Sequence, residues 1–402
     1  MKIIVTGGTG YIGQPLVSSL LSDGYDVLVV SRDEIAAKKI WPELNCVSYS
    51  SLREQAAGFD AIVHLAVMNN DQHGDIAAFR KANVSLVQDL VSVANSAGIS
   101  KFVNISSFQA IQKKTPYAIS KSEADNWLRT VSDPAVTIIR IPPVYSQKLR
   151  GKLGVLNALP GPIRNIALYS IRSLKPVIDI VLLVRTIKDS LVINERSELI
   201  LSDPAEHNII YTAWRTLLNW GFSISTLVLF WWLFLAIWIS IRLSSGSPAI
   251  LAQQRIGKGA KLFTLYKFRT MKLDTMQAGT HEISDSAVTS IGAFLRRTKF
   301  DELPQIWNII RGEVNLIGPR PCLPIQVDLI AEREKLGVFS VCPGITGSSQ
   351  VRGIDMSTPK YLADVDAEYI AQASILNDIQ ILLKTIRGSG GGDRVMREKS
   401  SE

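Results

Sequence analysis

Two groups of residues have types and spacings that could do chemistry. Tyr117 and Lys121 stand four apart in Tyr117-Ala118-Ile119-Ser120-Lys121, which places both on one helix face. An ammonium there lowers the phenol pKa and makes the tyrosine a usable proton donor or acceptor. Ser106 and Ser107, closing an expected strand, are placed to hydrogen-bond a substrate carbonyl or hydroxyl. The second group centres on the adjacent acids Asp301 and Glu302. Two neighbouring carboxylates can divide the work of nucleophile and magnesium ligand. Cations crowd around them in Gln254-Arg255-Ile256-Gly257, Lys267-Phe268-Arg269, Arg296-Arg297 and Gly318-Pro319-Arg320-Pro321. Basic side chains at that density serve phosphate better than they serve a core. By itself an Asp-Glu pair is better explained as the acidic first turn of a helix, so the context has to carry the reading.

The elements that must position the first group are legible. Lys2-Ile3-Ile4-Val5 reads as a short apolar strand, Thr6-Gly7-Gly8-Thr9-Gly10-Tyr11-Ile12-Gly13 as a glycine turn, and residues 14–22 as a helix. In that order, glycines let the backbone approach a pyrophosphate, and the helix amino terminus offers N–H groups and a positive dipole end. Gly7, Gly10, Tyr11, Ile12 and Gly13 are therefore expected to hold a dinucleotide. Further strands at residues 27–30, 61–65 and 101–105 alternate with helical stretches. The expectation is an α/β fold with a Rossmann-type, doubly wound parallel sheet covered on both faces. At the end of the second strand NAD-binding proteins usually carry an acid for the ribose diol. This chain has Ser31-Arg32, which suits the 2′-phosphate of NADP(H).

With 402 residues, 44 basic side chains against 36 acidic ones and 47% apolar content, the chain has material for two or three domains and is not disordered throughout. Three cysteines without metal-like spacing, and no secretory leader, favour a reducing cytosolic setting over a disulfide scaffold. Four histidines form no zinc pattern, and His64 reads as a structural imidazole. Residues 216–241 contain no charge, and five of the eight tryptophans lie between Trp214 and Trp238. As a helix that run would reach about 39 Å, beyond the roughly 30 Å of a bilayer core. The lipid bilayer is thus an expected partner. The positive charge concentrates beside this run, so anionic headgroups and pyrophosphates are favoured over nucleic acid. The expected division is a domain at 1–202, a linker at 203–213, a membrane-inserted helix at 214–243, a second domain at 244–386 and a disordered tail at 387–402.

The glycine turn, the serines and Tyr117/Lys121, in this order, resemble the extended short-chain dehydrogenase/reductase family over roughly residues 1–200, particularly its nucleotide-sugar epimerases, dehydratases and reductases. The resemblance implies Tyr117 as acid/base, Lys121 as its electrostatic and ribose-binding partner, and either Ser106 or Ser107 as third member. The Asp301-Glu302 region, with Asn308 and Pro343-Gly344-Ile345-Thr346-Gly347, resembles the bacterial sugar transferases over about residues 212–386. These are small, mostly helical monotopic phosphoglycosyl transferases working on polyprenyl phosphate. That resemblance implies Asp301 as nucleophile on the β-phosphate of a UDP-sugar, releasing UMP, with Glu302 holding Mg²⁺. Arg296, Arg320, Lys267 and Arg269 would bind phosphate. Its members carry a proline that bends the membrane segment into a re-entrant hairpin, whereas no proline occurs here between Pro204 and Pro248. Both domains need cytosolic nucleotides, so a bent, re-entrant insertion with both on the cytoplasmic face of a bacterial inner membrane is still expected, and a homodimer as in both families.

Combined, these readings give a bifunctional enzyme in which NADPH reduces a UDP-4-keto sugar and the membrane domain loads the sugar phosphate onto the carrier. The alternatives make the first domain a 4-epimerase or a non-catalytic nucleotide-sugar module.

Overall fold

The computed structural model describes residues 1–388 except 73, 113, 194 and 273–287, so the expected disordered tail falls almost wholly outside the described residues. The chain forms two units. One comprises Met1–Ser170 with Pro176–Asp203; the other begins at Pro204 and also takes Ile171–Lys175.

In the first unit, β1 (Lys2–Thr6), β2 (Asp26–Val30), β3 (Asn45–Val47), β4 (Ala61–His64), β5 (Lys101–Ser107), β6 (Ala135–Ile141) and β7 (Ser197–Ile200) form one parallel sheet in the order β3-β2-β1-β4-β5-β6-β7. The strands are short aliphatic runs because both faces are covered. Side chains alternate across a strand. Ile3 and Val5 accordingly pack with Leu16, Val17 and Leu20 of α1 (Gly13–Ser22), while Ile4 packs on the opposite face with Leu28, Ile62 and Leu90. Strand order reverses between β1 and β4, and a ligand crevice opens at such a switch point.

The glycine turn fills that position. Gly7 has φ +73°, and a Cβ on it would lie 2.9 Å from the Ala66 nitrogen. One on Gly13 would lie 2.2 Å from the Gly7 carbonyl oxygen. Gly13→Ala must therefore displace the turn itself. The expected result is a stability loss of about 1–3 kcal/mol with loss of dinucleotide binding, read by thermal melting and by fluorescence titration with the cofactor.

The second unit starts with α4 (Ile209–Ser245; α2 is Pro116–Leu128 and α3 is Gly161–Leu174), one helix of 37 residues. Asn208 caps it, its Oδ1 accepting from the Ile210 and Tyr211 amides at 3.0 and 3.2 Å. The expected linker therefore ends earlier, and the helix runs about 55 Å without interruption. The bend expected of a re-entrant hairpin does not take the form of a break, because no proline removes a backbone donor and Gly221 keeps its helical bond.

Instead, one side of the unbroken helix packs on the rest of its unit near both ends. Tyr211, Ser223, Thr226, Ile237 and Ile241 are buried, and at about 100° per residue they fall within about 120° of one another. Leu217, Trp231 and Leu235 stand exposed on the other side. Near the start of α4, the Tyr211 hydroxyl donates to Asp378 Oδ2 (3.1 Å) on α6 (Ile375–Ile386), and Arg215 donates to the Ile317 carbonyl. Near its end, Ile237 and Ile241 pack with Phe268 and with Leu295 of α5 (Ser290–Thr298). Both ends of the helix are fixed to one folded unit. The rest of that unit is mostly helical around an antiparallel pair, β8 (Ile250–Ile256) with β9 (Leu262–Phe268), and a parallel pair, β10 (Asn315–Ile317) with β11 (Gly344–Thr346).

Candidate active sites

In the first unit, α2 begins with Pro116 at its first position and Thr115 as cap, its Oγ1 accepting from the Ala118 amide at 3.2 Å. The helix carries Tyr117 and Lys121 on one face beside β5. Strand alternation separates the two candidate serines. The Ser106 hydroxyl is buried and donates to Asp125 Oδ2 at 2.9 Å, where Arg140 Nε also donates at 2.9 Å. Ser107 hydrogen-bonds Tyr117. The structure therefore brings Ser107 to the tyrosine and commits Ser106 to a buried ion pair.

Lys121 is buried, with Nζ donating to the Ile105 carbonyl at 2.8 Å. Burial lowers its pKa to about 8, opposed by Asp125. Burial likewise pushes the Tyr117 phenol up, and the Ser107 hydrogen bond opposes it. The net direction is upward, the opposite of the depression expected from Lys121, and the lowering influence comes from Ser107. Sequence reasoning missed Asp125, Arg140 and Asn83, whose Nδ2 donates to Ser120 Oγ at 3.0 Å. Asp125 had a signal, since it lies one helical turn beyond Lys121.

Around the glycine turn, the Tyr11 hydroxyl donates to Ser146 Oγ at 2.9 Å and Arg150 lies over its ring. Ile12 is the residue preceding α1. The turn from Gly7 to Gly13, packed too closely on backbone to take a Cβ at Gly7 or Gly13, fits a dinucleotide pyrophosphate. At the end of β2, Asp33 caps the next helix by accepting from the Ala36 amide at 2.9 Å, and Ser31 Oγ accepts from the Asp33 amide at 3.3 Å. Arg32 is exposed. His64 pairs through Nδ1 with Thr6 Oγ1 at 2.8 Å, and burial holds the ring neutral, with a pKa of about 3.

In the second unit, α5 ends at Lys299, whose φ of +61° is the left-handed turn that terminates helices. The chain then enters a short 3₁₀ segment, Phe300–Gln305, that points Asp301 inward. Asp301 is 9% exposed, and its Oδ1 is buried without a hydrogen-bond partner. Burial first, then Glu302, raises its pKa to about 6, while Lys267, Lys299 and Arg296 pull it down. Arg320 Nη1 lies 3.7 Å from Glu302 Oε1. Arg296 donates through Nε to Thr270 Oγ1 at 3.0 Å. Lys267 is lowered to about 8, by burial and then by Arg255 and Arg320. Asp301, Glu302, Lys267, Arg296 and Arg320 thus form one electrostatic cluster. A buried carboxylate oxygen lacking a partner, beside a second carboxylate, fits a divalent cation that takes its other ligands from a diphosphate. No group of three or more metal-ligating side chains occurs among the described residues.

Several neighbouring arginines do something else. Arg269 Nη2 donates to the Ser245 and Gly246 carbonyls at 2.6 and 2.8 Å, where they end α4. That nitrogen satisfies orphan carbonyls and the helix dipole, while Nε and Nη1 stay buried without a hydrogen-bond partner. Arg255 donates to the Pro321 carbonyl at 3.0 Å, and Arg333, paired with Asp366 at 2.6 Å, donates to the Arg320 carbonyl at 2.8 Å. With Arg215 on the Ile317 carbonyl, three guanidinium groups fix the backbone that presents Arg320. Close glycine packing completes the support: a Cβ on Gly344 would lie 2.0 Å from the Gly318 nitrogen, and one on Gly347 2.2 Å from its carbonyl oxygen.

A family model described as bacterial sugar transferase matches residues 210–390, and one described as NAD dependent epimerase/dehydratase family matches residues 3–179. An uncharacterized sugar transferase of Bacillus subtilis, EpsL, is 36% identical over 147 residues, covering 37% of this chain and 72% of that protein. An undecaprenyl-phosphate galactose phosphotransferase of Salmonella typhimurium is 31% identical over 185 residues, covering 41% of this chain. This chain spans only 38% of that relative's length. A solved UDP-N-acetylglucosamine 4-epimerase from Bacillus cereus is 22% identical with a TM-score of 0.39, covering 50% of this chain and 78% of that one.

Proposed function

Because the chain belongs to the bacterial sugar transferase family through its second unit and carries an epimerase/dehydratase domain ahead of it, we propose a bifunctional membrane enzyme that finishes a UDP-sugar and transfers its sugar phosphate to polyprenyl phosphate. The observation that carries the transfer half is Asp301: a buried carboxylate with an unpartnered oxygen inside a cluster of cations. A carboxylate stripped of hydrogen bonds is a better nucleophile than a solvated one.

In the first step Asp301 attacks the β-phosphorus of the UDP-sugar, the bond to the bridging oxygen breaks, and UMP leaves with that oxygen. In the second, an oxygen of polyprenyl phosphate attacks the phosphorus of the aspartyl-phosphosugar and the carboxylate departs unchanged. Lys267, Arg296 and Arg320 neutralise the charge on the transferring phosphoryl oxygens. Glu302 would hold Mg²⁺, which supplies further charge neutralisation on the diphosphate.

The Lys267 pKa gives this step an alkaline limb. The ammonium is present below about pH 8 and lost above it, so transfer should fall as pH rises past that point. Lys267→Arg, whose cation does not titrate there, should retain activity while moving the limb out of range. A pH–rate profile of UMP release checks both.

In the first unit, Tyr117 and Ser107 would hold the C4 oxygen of the sugar nucleotide, with Tyr117 delivering or accepting its proton. Lys121 would bind the ribose. The dinucleotide supplies or stores the hydride. NADPH and net reduction of a 4-keto sugar are favoured by Ser31-Arg32 at the β2 end, where the nearest acid is committed to a helix cap. A 4-epimerase using NAD is the second reading, favoured by the description of the matching family model. Nicotinamide absorbance in the presence of a UDP-4-keto sugar separates them. The reductase consumes NADPH in preference to NADH, by about tenfold or more for one well-formed phosphate–arginine pair. Interconversion of C4 isomers without net oxidation would reject it.

The apolar face of α4 is assigned to the cytoplasmic leaflet of the bacterial inner membrane, with both domains on that side. Attachment of both helix ends to one folded unit supports this and argues against a straight span. Fusion of the two activities then raises the local concentration of the shared UDP-sugar.

A further inference from the structure

Between Asp133 and Asp179 the chain contains no acidic residue and seven basic ones. Six of the seven lie at or after Lys148. The stretch 148–170 of the first unit also exposes aliphatic side chains: Val155 at 78%, Leu159 at 37%, Ile163 at 53% and Ile166 at 68%. They recur every three or four residues: Val155 in a short 3₁₀ stretch (Gly151–Ala158), Leu159 in the link after it, and Ile163 and Ile166 on α3. Lys148 and Arg150 are exposed and Arg164 is half-buried. Elsewhere in this unit the large exposed aliphatics come singly or, as at Val192 and Ile193, in a pair. Ile35 (74%), for example, stands between Glu34 and Ala36 with no other large aliphatic beside it in sequence. Single exposed aliphatics need no explanation, but a row of them does.

We propose that residues 148–170 lie on the membrane surface and contact anionic phospholipid. The aliphatic row enters the headgroup boundary, and Lys148, Arg150 and Arg164 meet the lipid phosphates. Exposed aliphatics flanked by cations, with no acid to oppose them, are the composition that binds an interface of this kind. An acidic protein partner would also answer the charge. The chain, however, continues from this domain into α4, which brings a lipid surface within reach of every copy. Arg150 also lies over the Tyr11 ring at 5.5 Å, so the docked segment adjoins the dinucleotide turn. The first domain then works at the surface where its product is used, instead of moving freely on a tether.

The inference rests on the membrane placement of α4, and the test separates the two. Full-length protein, with Cys342 replaced by serine, carries an environment-sensitive fluorophore at Ile166→Cys. A second version carries it at Ile35→Cys. Each is bound to vesicles of phosphatidylcholine alone, or of phosphatidylcholine with one third phosphatidylglycerol. With the anionic lipid, the label at 166 should shift to the blue and be quenched by nitroxide-bearing lipids, while the label at 35 stays in water. Each surface cation contributes about a fivefold factor to association with an anionic leaflet. Lys148→Glu with Arg164→Glu should therefore abolish the shift while the protein still floats with the vesicles. If the protein floats but the label at 166 remains accessible to aqueous iodide, this inference fails and the α4 placement stands. If the protein does not float with either vesicle, both fail. A blue shift equal in the two lipids, or one that survives the double charge reversal, overturns the role of the cations and with it the proposal.

Discussion

Replacing Asp301 by asparagine should lower sugar-phosphate transfer by about ten-thousand-fold or more, the scale on which loss of a covalent nucleophile is felt. The substitution keeps the size and shape of the side chain and removes only its charge and nucleophilicity. A second readout separates lost chemistry from lost fold. The Asp301 carboxyl is raised to about 6 from an ordinary 3.8, so the folded protein holds its proton more tightly than the unfolded chain does. The sign is therefore unfavourable at neutral pH: stability falls as pH rises through roughly 4 to 6, by an amount on the order of 2–3 kcal/mol. Asparagine does not ionise and escapes that penalty. The variant should melt no lower than the parent at pH 7 while releasing no UMP. It should still turn over a UDP-sugar in the first domain.

Tyr117→Phe should have the complementary effect. A positioned acid or base contributes about a hundred- to ten-thousand-fold, and the phenol is the group that Ser107 orients. Hydride transfer to or from the sugar nucleotide should fall by that factor, with dinucleotide binding retained, because the glycine cradle is untouched. UMP release from a finished UDP-sugar should be unchanged. Ser107→Ala should fall in the same direction by less. Ser106→Ala should act mainly on stability, since its hydroxyl satisfies the Asp125–Arg140 pair. Loss of both activities in either Tyr117→Phe or Asp301→Asn would count against independent sites.

The strand–turn–helix at residues 2–22 was legible because local signals agree there: an aliphatic run followed directly by the glycine spacing that opens a helix. Tyr117 and Lys121 were legible because helical spacing alone makes them neighbours. The choice between Ser106 and Ser107 was not, since it turns on which face of β5 meets α2, a tertiary fact. Arg255 and Arg269 were the harder case, and Arg333 was not singled out at all. Composition makes cations near an acidic pair look like phosphate ligands. These three donate to the backbone carbonyls of Pro321, of Ser245 and Gly246, and of Arg320, contacts that no local sequence signal announces. The apolar run announced a membrane helix. Its one-sided packing rests on Tyr211, Arg215 and Asn219 finding partners about a hundred residues or more away, and hydropathy carries no record of such contacts.

The most direct measurement is mass spectrometry of protein quenched during turnover with a UDP-sugar and no polyprenyl phosphate. A mass increase equal to one sugar phosphate, mapped to the peptide containing Asp301 and discharged on adding the lipid acceptor, is the predicted result. An unmodified peptide under conditions where UMP is released stoichiometrically, or undiminished transfer by Asp301→Ala, would contradict the account.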